Sequence, residues 1–223
     1  MSPAMNAIAL QILNLLASIL LLLTFAMLGQ RRILSLIHLF TLHGATLVAA
    51  ALIVAYITND RHLYISAALT FGLKVVLIPW ILHKLIRRLN VKWDVDPLIN
   101  VPTTMLIGIV LVIIAFNLAR PVAQLSTSVA HGALGIALAC ILLSLMMMIT
   151  RSKAVPQVIG FLSMENVLFF AATAATNGMP MIVELGVALA VVGGILILGI
   201  FMFQIRQQFD SMDIHKLETS KED

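Results

Sequence analysis

Two ionisable residues stand in the middle of long apolar runs, and theirs is the chemistry that most needs explaining. Lys74 is twelve positions into the 24-residue stretch LYISAALTFGLKVVLIPWILHKLI, and Glu165 lies ten residues after Val155 and eleven before Thr176. If these runs are helices crossing a bilayer, the lysine is about 18 Å from either end by helix rise. Snorkelling cannot easily carry an ammonium that far. A charge at mid-bilayer costs about 2.5–3.5 kcal/mol on insertion scales, so it needs a partner or a wet cavity. Three readings stay open: a proton relay, a structural ion pair joining two helices, or a grip on a bound ion or lipid headgroup.

Other polar residues add to this set with less specificity. Glu184, three residues after Met181, is one turn below a surface, where it is either a relay member or a carboxylate at a helix N-terminus favoured by the dipole. His38 and His43 are five residues apart and so do not share a helix face. With His131, at the start of a later run, they are weaker relay candidates. Pro79, five residues after Lys74, removes a backbone donor and is expected to loosen the helix near the lysine.

Metal, cofactor and catalytic chemistry are not expected. No His, Cys or carboxylate cluster has ligand spacing, and Cys140 is the single cysteine, which excludes an intrachain disulfide. Ser163 has no histidine near it in sequence to act as base, glycine-rich phosphate loops are absent, and no intramembrane Asp pair exists.

The elements that must position these residues follow from composition. Of 223 residues, 61% are apolar and 11% charged, against about a quarter charged in soluble domains. The chain is therefore read as an integral, multi-pass protein of the inner (plasma) membrane. Apolar runs of about 20 residues place seven spans at Met5–Leu28, Ile33–Ile57, Leu63–Ile86, Val101–Leu118, Val129–Ile149, Val155–Thr176 and Met181–Ile205. The fold class is all-α, since the runs lack the alternation of a membrane barrel. The first run follows a start with no positive n-region and is read as a retained span. The loops leave no room for a soluble catalytic domain.

The basic residues set the orientation. Arg31, Arg32, Lys84, Arg87, Arg88, Lys92, Arg151, Lys153, Arg206, Lys216 and Lys221 collect on one face, while Arg61 and Arg120 fall on the other. Cytoplasmic loops are enriched in Lys and Arg, so the N-terminus is outside and the C-terminus inside. The same rule accounts for the net charge of +4 without nucleic acid as a partner. Small residues at four-residue intervals, Gly186, Ala190 and Gly194 in the last span and Ala171 with Ala175 in the one before, favour close helix packing.

The segment HGALGIALACILLSLMMMITRSKAVPQVIGFLSMEN, with VELGVALAVVGGILILGIFMFQI and the tail DSMDIHKLE, resembles subunit K of respiratory complex I and the C subunit of multisubunit sodium/proton antiporters. With four spans in front, and with ALTFGLKVVLIPWIL around Lys74 and SMEN around Glu165, the chain resembles the hydrogenase-4 component E family. The division is then a four-helix region at 1–128, a three-helix subunit-K-like region at 129–205 and a cytoplasmic polar tail at 206–223. The resemblance implies a membrane-arm subunit of a complex I-like hydrogenase or formate hydrogenlyase, moving protons or sodium. Its partners would be antiporter-like membrane subunits and a peripheral hydrogenase-type redox module. In K-type subunits the mid-membrane carboxylate of the second helix aligns at Leu162, with Glu165 one turn on along the same face, and the second carboxylate aligns near Ala190. A purely structural connector, or a subunit of a cation/proton antiporter without a redox module, are the alternative readings.

Overall fold

The computed structural model describes residues 3–58, 61–89, 99–125 and 130–176, together with Val192, Ile195 and Gly199. Helix α1 is Pro3–Gly29, α2 Ile33–Thr58, α3 Arg61–Thr70, α4 Ile78–Leu89, α5 Val101–Leu125, α6 Ala130–Thr150 and α7 Ala154–Thr176. A π-helical stretch, Phe71–Leu77, joins α3 to α4. Among the described residues there is no β-strand, and the chain is a helical multi-pass membrane protein. Ile8–Gly29, Ile33–Thr58, Leu63–Lys84, Val101–Pro121 and Val155–Ala172 are long and apolar enough to cross a membrane, and Leu134–Thr150 of α6 is apolar but shorter. The seventh expected span, Met181–Ile205, lies outside the described residues apart from Val192, Ile195 and Gly199.

Helices form here because a bilayer offers the backbone no other hydrogen-bond partners. The hydroxyls obey the same constraint. Thr24, Thr41, Thr46, Thr70 and Thr150 each donate to the carbonyl four residues back, at 2.8–2.9 Å, so that none presents a bare O–H to lipid. Large apolar side chains such as Leu22, Leu106, Ile113 and Ile149 point outward, as a bilayer requires.

Helix α5 runs further than the apolar run Val101–Leu118. It continues through Arg120 and Pro121 to Leu125, with Pro121 inside it. Proline removes one backbone bond, but the exposed setting of Pro121 lets the freed carbonyl find other partners.

Helix α2 is central. It packs against α1, α7, α3, the π stretch and α4, while α6 lies between α5 and α7 and also meets α1. The turns after α1 and α6 meet at one end, where the guanidinium of Arg151 donates through Nη2 to the Leu28 carbonyl and Gln157 Nε2 donates to the Arg151 carbonyl at 2.7 Å. Arg151 is buried, and burial pushes its guanidinium below its ordinary pKa. The cation caps the C-terminal end of α1, where the helix dipole favours positive charge.

Close approach of α6 and α7 depends on Gly160. A Cβ there would lie 2.9 Å from Met148 Cγ and 3.2 Å from the Ser144 carbonyl oxygen, and that backbone atom cannot swing aside. Gly160→Val is therefore expected to destabilise the chain by about 1–3 kcal/mol through overpacking. Unfolding in detergent by denaturant titration measures it, and a change within about 0.5 kcal/mol would mean that α6 can move away freely.

Candidate functional site

The buried apolar residues form two main clusters stacked along the bundle. One contains Met27, Leu28, Phe40, Ile78, Leu82, Leu143, Ile159 and Leu162; the other contains Leu20, Leu47, Ala67, Phe169 and Phe170. On each of four elements the polar residue falls between the positions given to the two clusters. On α1 this is Thr24, on α2 His43, on the π stretch Lys74, and on α7 Glu165 with Asn166. The result is a polar layer at mid-depth with apolar packing on both sides.

Its strongest contact is an ion pair. Lys74 Nζ donates to Glu165 Oε1 at 2.8 Å, with the lysine side chain 1% and the glutamate 12% exposed. The ammonium also lies 5.2 Å from the centroid of the Phe169 ring, within cation–π range. Phe169 is one turn beyond Glu165, so a single face of α7 supplies both partners.

The backbone at Lys74 explains how the side chain is aimed. Ile78 N–H bonds to the Leu73 carbonyl, five residues back, which is the π pattern. In that register the next donor would be residue 79, and Pro79 has no N–H to give. The proline thus loosens the helix beside the lysine, and the π turn is the form the loosening takes. Gly44 lets α2 lie close: a Cβ there would be 3.5 Å from the Lys74 carbonyl oxygen.

A second chain of bonds runs through His43, which is fully buried. Thr24 Oγ1 gives its proton to the Leu20 carbonyl at 2.8 Å and lies 3.2 Å from His43 Nε2. The hydroxyl has one proton, so toward the imidazole it accepts, and Nε2 carries the hydrogen. His43 Nδ1 is then the acceptor for Asn166 Nδ2 at 3.2 Å. This assigns a neutral, singly protonated ring held at both nitrogens. Asn166 Oδ1 is buried with no partner among the described residues. Nearby, Ser144 Oγ donates to Ser163 Oγ at 3.3 Å, which ties Ser163 to α6.

Of the residues singled out in the sequence, Lys74 and Glu165 meet, and His43 is in the same layer. His38 is elsewhere: it is exposed, and its ring centroid is 6.3 Å from that of His83. His131 is in the first turn of α6, with its side chain outside the description; Glu184 and Ala190 lie outside the described residues. Leu162 is buried in the first apolar cluster, one turn from Glu165. Among the described residues no three His, Cys, Asp or Glu side chains converge as a metal site. Sequence reasoning missed Thr24 and Asn166. Asn166 adjoins Glu165 in SMEN, and a buried amide there was the available signal.

No family model matches the chain, and no solved structure matches it. Over 189 residues it is 31% identical to "Uncharacterized protein Rv0085" of Mycobacterium tuberculosis, a match covering 84% of this chain and 86% of that protein. The chain belongs to the Rv0085 family. Whichever end of this family member is left out, a match covering 84% of it takes in the positions of His43, Lys74, Glu165 and Asn166. These four members of the polar layer therefore fall within the part shared with Rv0085.

Proposed function

We propose that this protein is a membrane-arm subunit of a complex I-like hydrogenase or formate hydrogenlyase, and that it lines a proton path through Lys74 and Glu165. The observation that carries the reading is the 2.8 Å Lys74–Glu165 pair beside a π turn, in a polar layer between two apolar clusters. Ionisable residues inside membrane helices mark ion pathways by default. A proton arriving on the Glu165 carboxylate neutralises it and releases the Lys74 ammonium from its partner; loss of that proton re-forms the pair. Such a pair has two states that differ by one proton, as a relay requires.

On this reading the chain has seven spans, an outer N-terminus and a cytoplasmic C-terminus in the inner membrane. It assembles with antiporter-like subunits and a peripheral hydrogenase-type redox module. Glu184 and His131 are further relay candidates, His43 is held neutral beside the pair, and His38 contributes at the basic end. The competing reading, a structural connector, draws on the mutual neutralisation of two charges at a site where Lys74 is 1% exposed. A subunit of a multisubunit cation/proton antiporter is the remaining alternative.

Glu165→Gln separates them. The relay predicts a normally assembled complex in which proton movement per turnover, in reconstituted vesicles, drops on the order of tenfold or more. Normal assembly with unchanged proton movement would overturn it. A complex that fails to assemble would favour the connector.

A further inference from the structure

A separate groove lies between α2 and α4, away from the ion pair, mainly apolar but bordered by basic side chains. Its volume is about 690 Å³, and its walls are Ile37, His38, Thr41, Pro79, Trp80, His83 and Lys84. The Lys84 ammonium sits 4.7 Å from the centroid of the Trp80 ring, and the His38 and His83 rings are 6.3 Å apart. No acid is among the lining residues. Thr41 has given its proton to the Ile37 carbonyl at 2.9 Å, so the N–H donors among the lining side chains are those of Lys84, the two imidazoles and the Trp80 indole.

The depth of the groove is set by the ends of its helices. Lys84 closes the membrane-length segment Leu63–Lys84, and His38 is five residues inside Ile33–Thr58. The groove therefore opens at headgroup level and runs inward past Pro79 toward Thr41. Arg31 and Arg32 stand just before α2, and Arg87 and Arg88 follow Lys84 in α4. An indole at this level is at home in the interface, and a lysine stacked on it is a cation held in place.

We propose that this groove binds the phosphate of an anionic phospholipid, with Lys84, His38 and His83 as donors and the acyl chains lying along Pro79 and the exposed Trp80 ring. Basic pockets between membrane helices at the positive face have the chemistry for such headgroups. A free phosphate shares the donors but would leave the apolar floor uncovered.

The test uses Trp80 as reporter. The chain has two tryptophans, Trp80 and Trp93, so the full-length W93F protein reports from the groove alone. It is reconstituted in phosphatidylcholine vesicles containing a minor fraction of phosphatidylglycerol, with brominated acyl chains on one lipid or the other. The expected result is quenching that reflects about fivefold preferential binding of the anionic lipid. Lys84→Gln, and separately His38→Ala with His83→Ala, should bring that preference close to one. Lys84 and His38 are exposed and His83 half-buried, and none belongs to an apolar cluster, so these changes spare the core. Equal quenching by both lipids would overturn the proposal, as would a preference that the substitutions leave intact, which would be the general pull of the arginines. Loss of the preference on adding millimolar inorganic phosphate at constant ionic strength would assign the groove to free phosphate instead.

Discussion

Lys74→Met is expected to cost the folded chain about 3–5 kcal/mol. The substitution leaves the Glu165 carboxylate, 12% exposed, without its cation in a layer whose neighbours along the bundle are apolar. Its remedies are to take up a proton or to open the bundle to water, and both cost free energy at neutral pH. Unfolding in detergent at pH 7 measures the loss. Adding Glu165→Leu should recover most of it, because apolar residues of similar volume can replace a buried pair at little or no cost. A complete cycle of the two single variants and the double variant gives the coupling. A single variant as stable as the parent chain would mean that the pair contributes nothing to the fold. The double variant also separates the two functional readings: a connector regains activity with its stability, whereas a relay regains stability and stays inactive.

His43→Phe is expected to be the next most damaging change. Phenylalanine fills the space of the imidazole but has no nitrogen for Asn166 Nδ2, now bonded at 3.2 Å. Asn166 is fully buried, and its Oδ1 has no partner among the described residues, so the whole amide would be stranded. An unsatisfied buried polar group costs about 1–3 kcal/mol. The relevant control is a second substitution, Asn166→Leu, which removes the stranded amide and should restore stability relative to His43→Phe alone. Failure of that rescue, in the same unfolding measurement, would show that the ring matters for its shape and not for its bonds.

How much of this was legible in the sequence depends on the length scale. The described helices were legible because charges and prolines punctuate the apolar runs. Lys74 and Glu165 stood out as charges far from any run's end. Pro79 pointed to a loosened backbone, and five-residue spacing put His38 and His43 on different faces, one now on a groove and the other in the core. Their partners were hidden. Thr24, His43 and Asn166 come from three helices, and no spacing along one chain encodes a bond between three. Small-residue intervals directed attention to Ala171 and Ala175 as a face toward the last span, which lies outside the described residues; the tight α6–α7 contact is at Gly160, a lone glycine whose role depends on Ser144 and Met148 opposite it. Arg151 entered the sequence reading as one more cytoplasmic charge, although it is buried on the end of α1.

The π turn also bears on how this chain should be aligned with others. A backbone bonded five residues back takes up one residue more per turn than an α-helix. A relative one residue shorter between Phe71 and Leu77 would continue the same rod in α form, with both helix ends in place. The wide turn absorbs the extra residue, so in such a relative the helices on either side would keep their facing and only the positions inside the turn would be re-aimed. A lysine there would stand at a different angle to the glutamate of α7, even though a comparison of composition would score it as present. Length in this seven-residue window is thus as informative about the ion pair as the presence of its two charged residues.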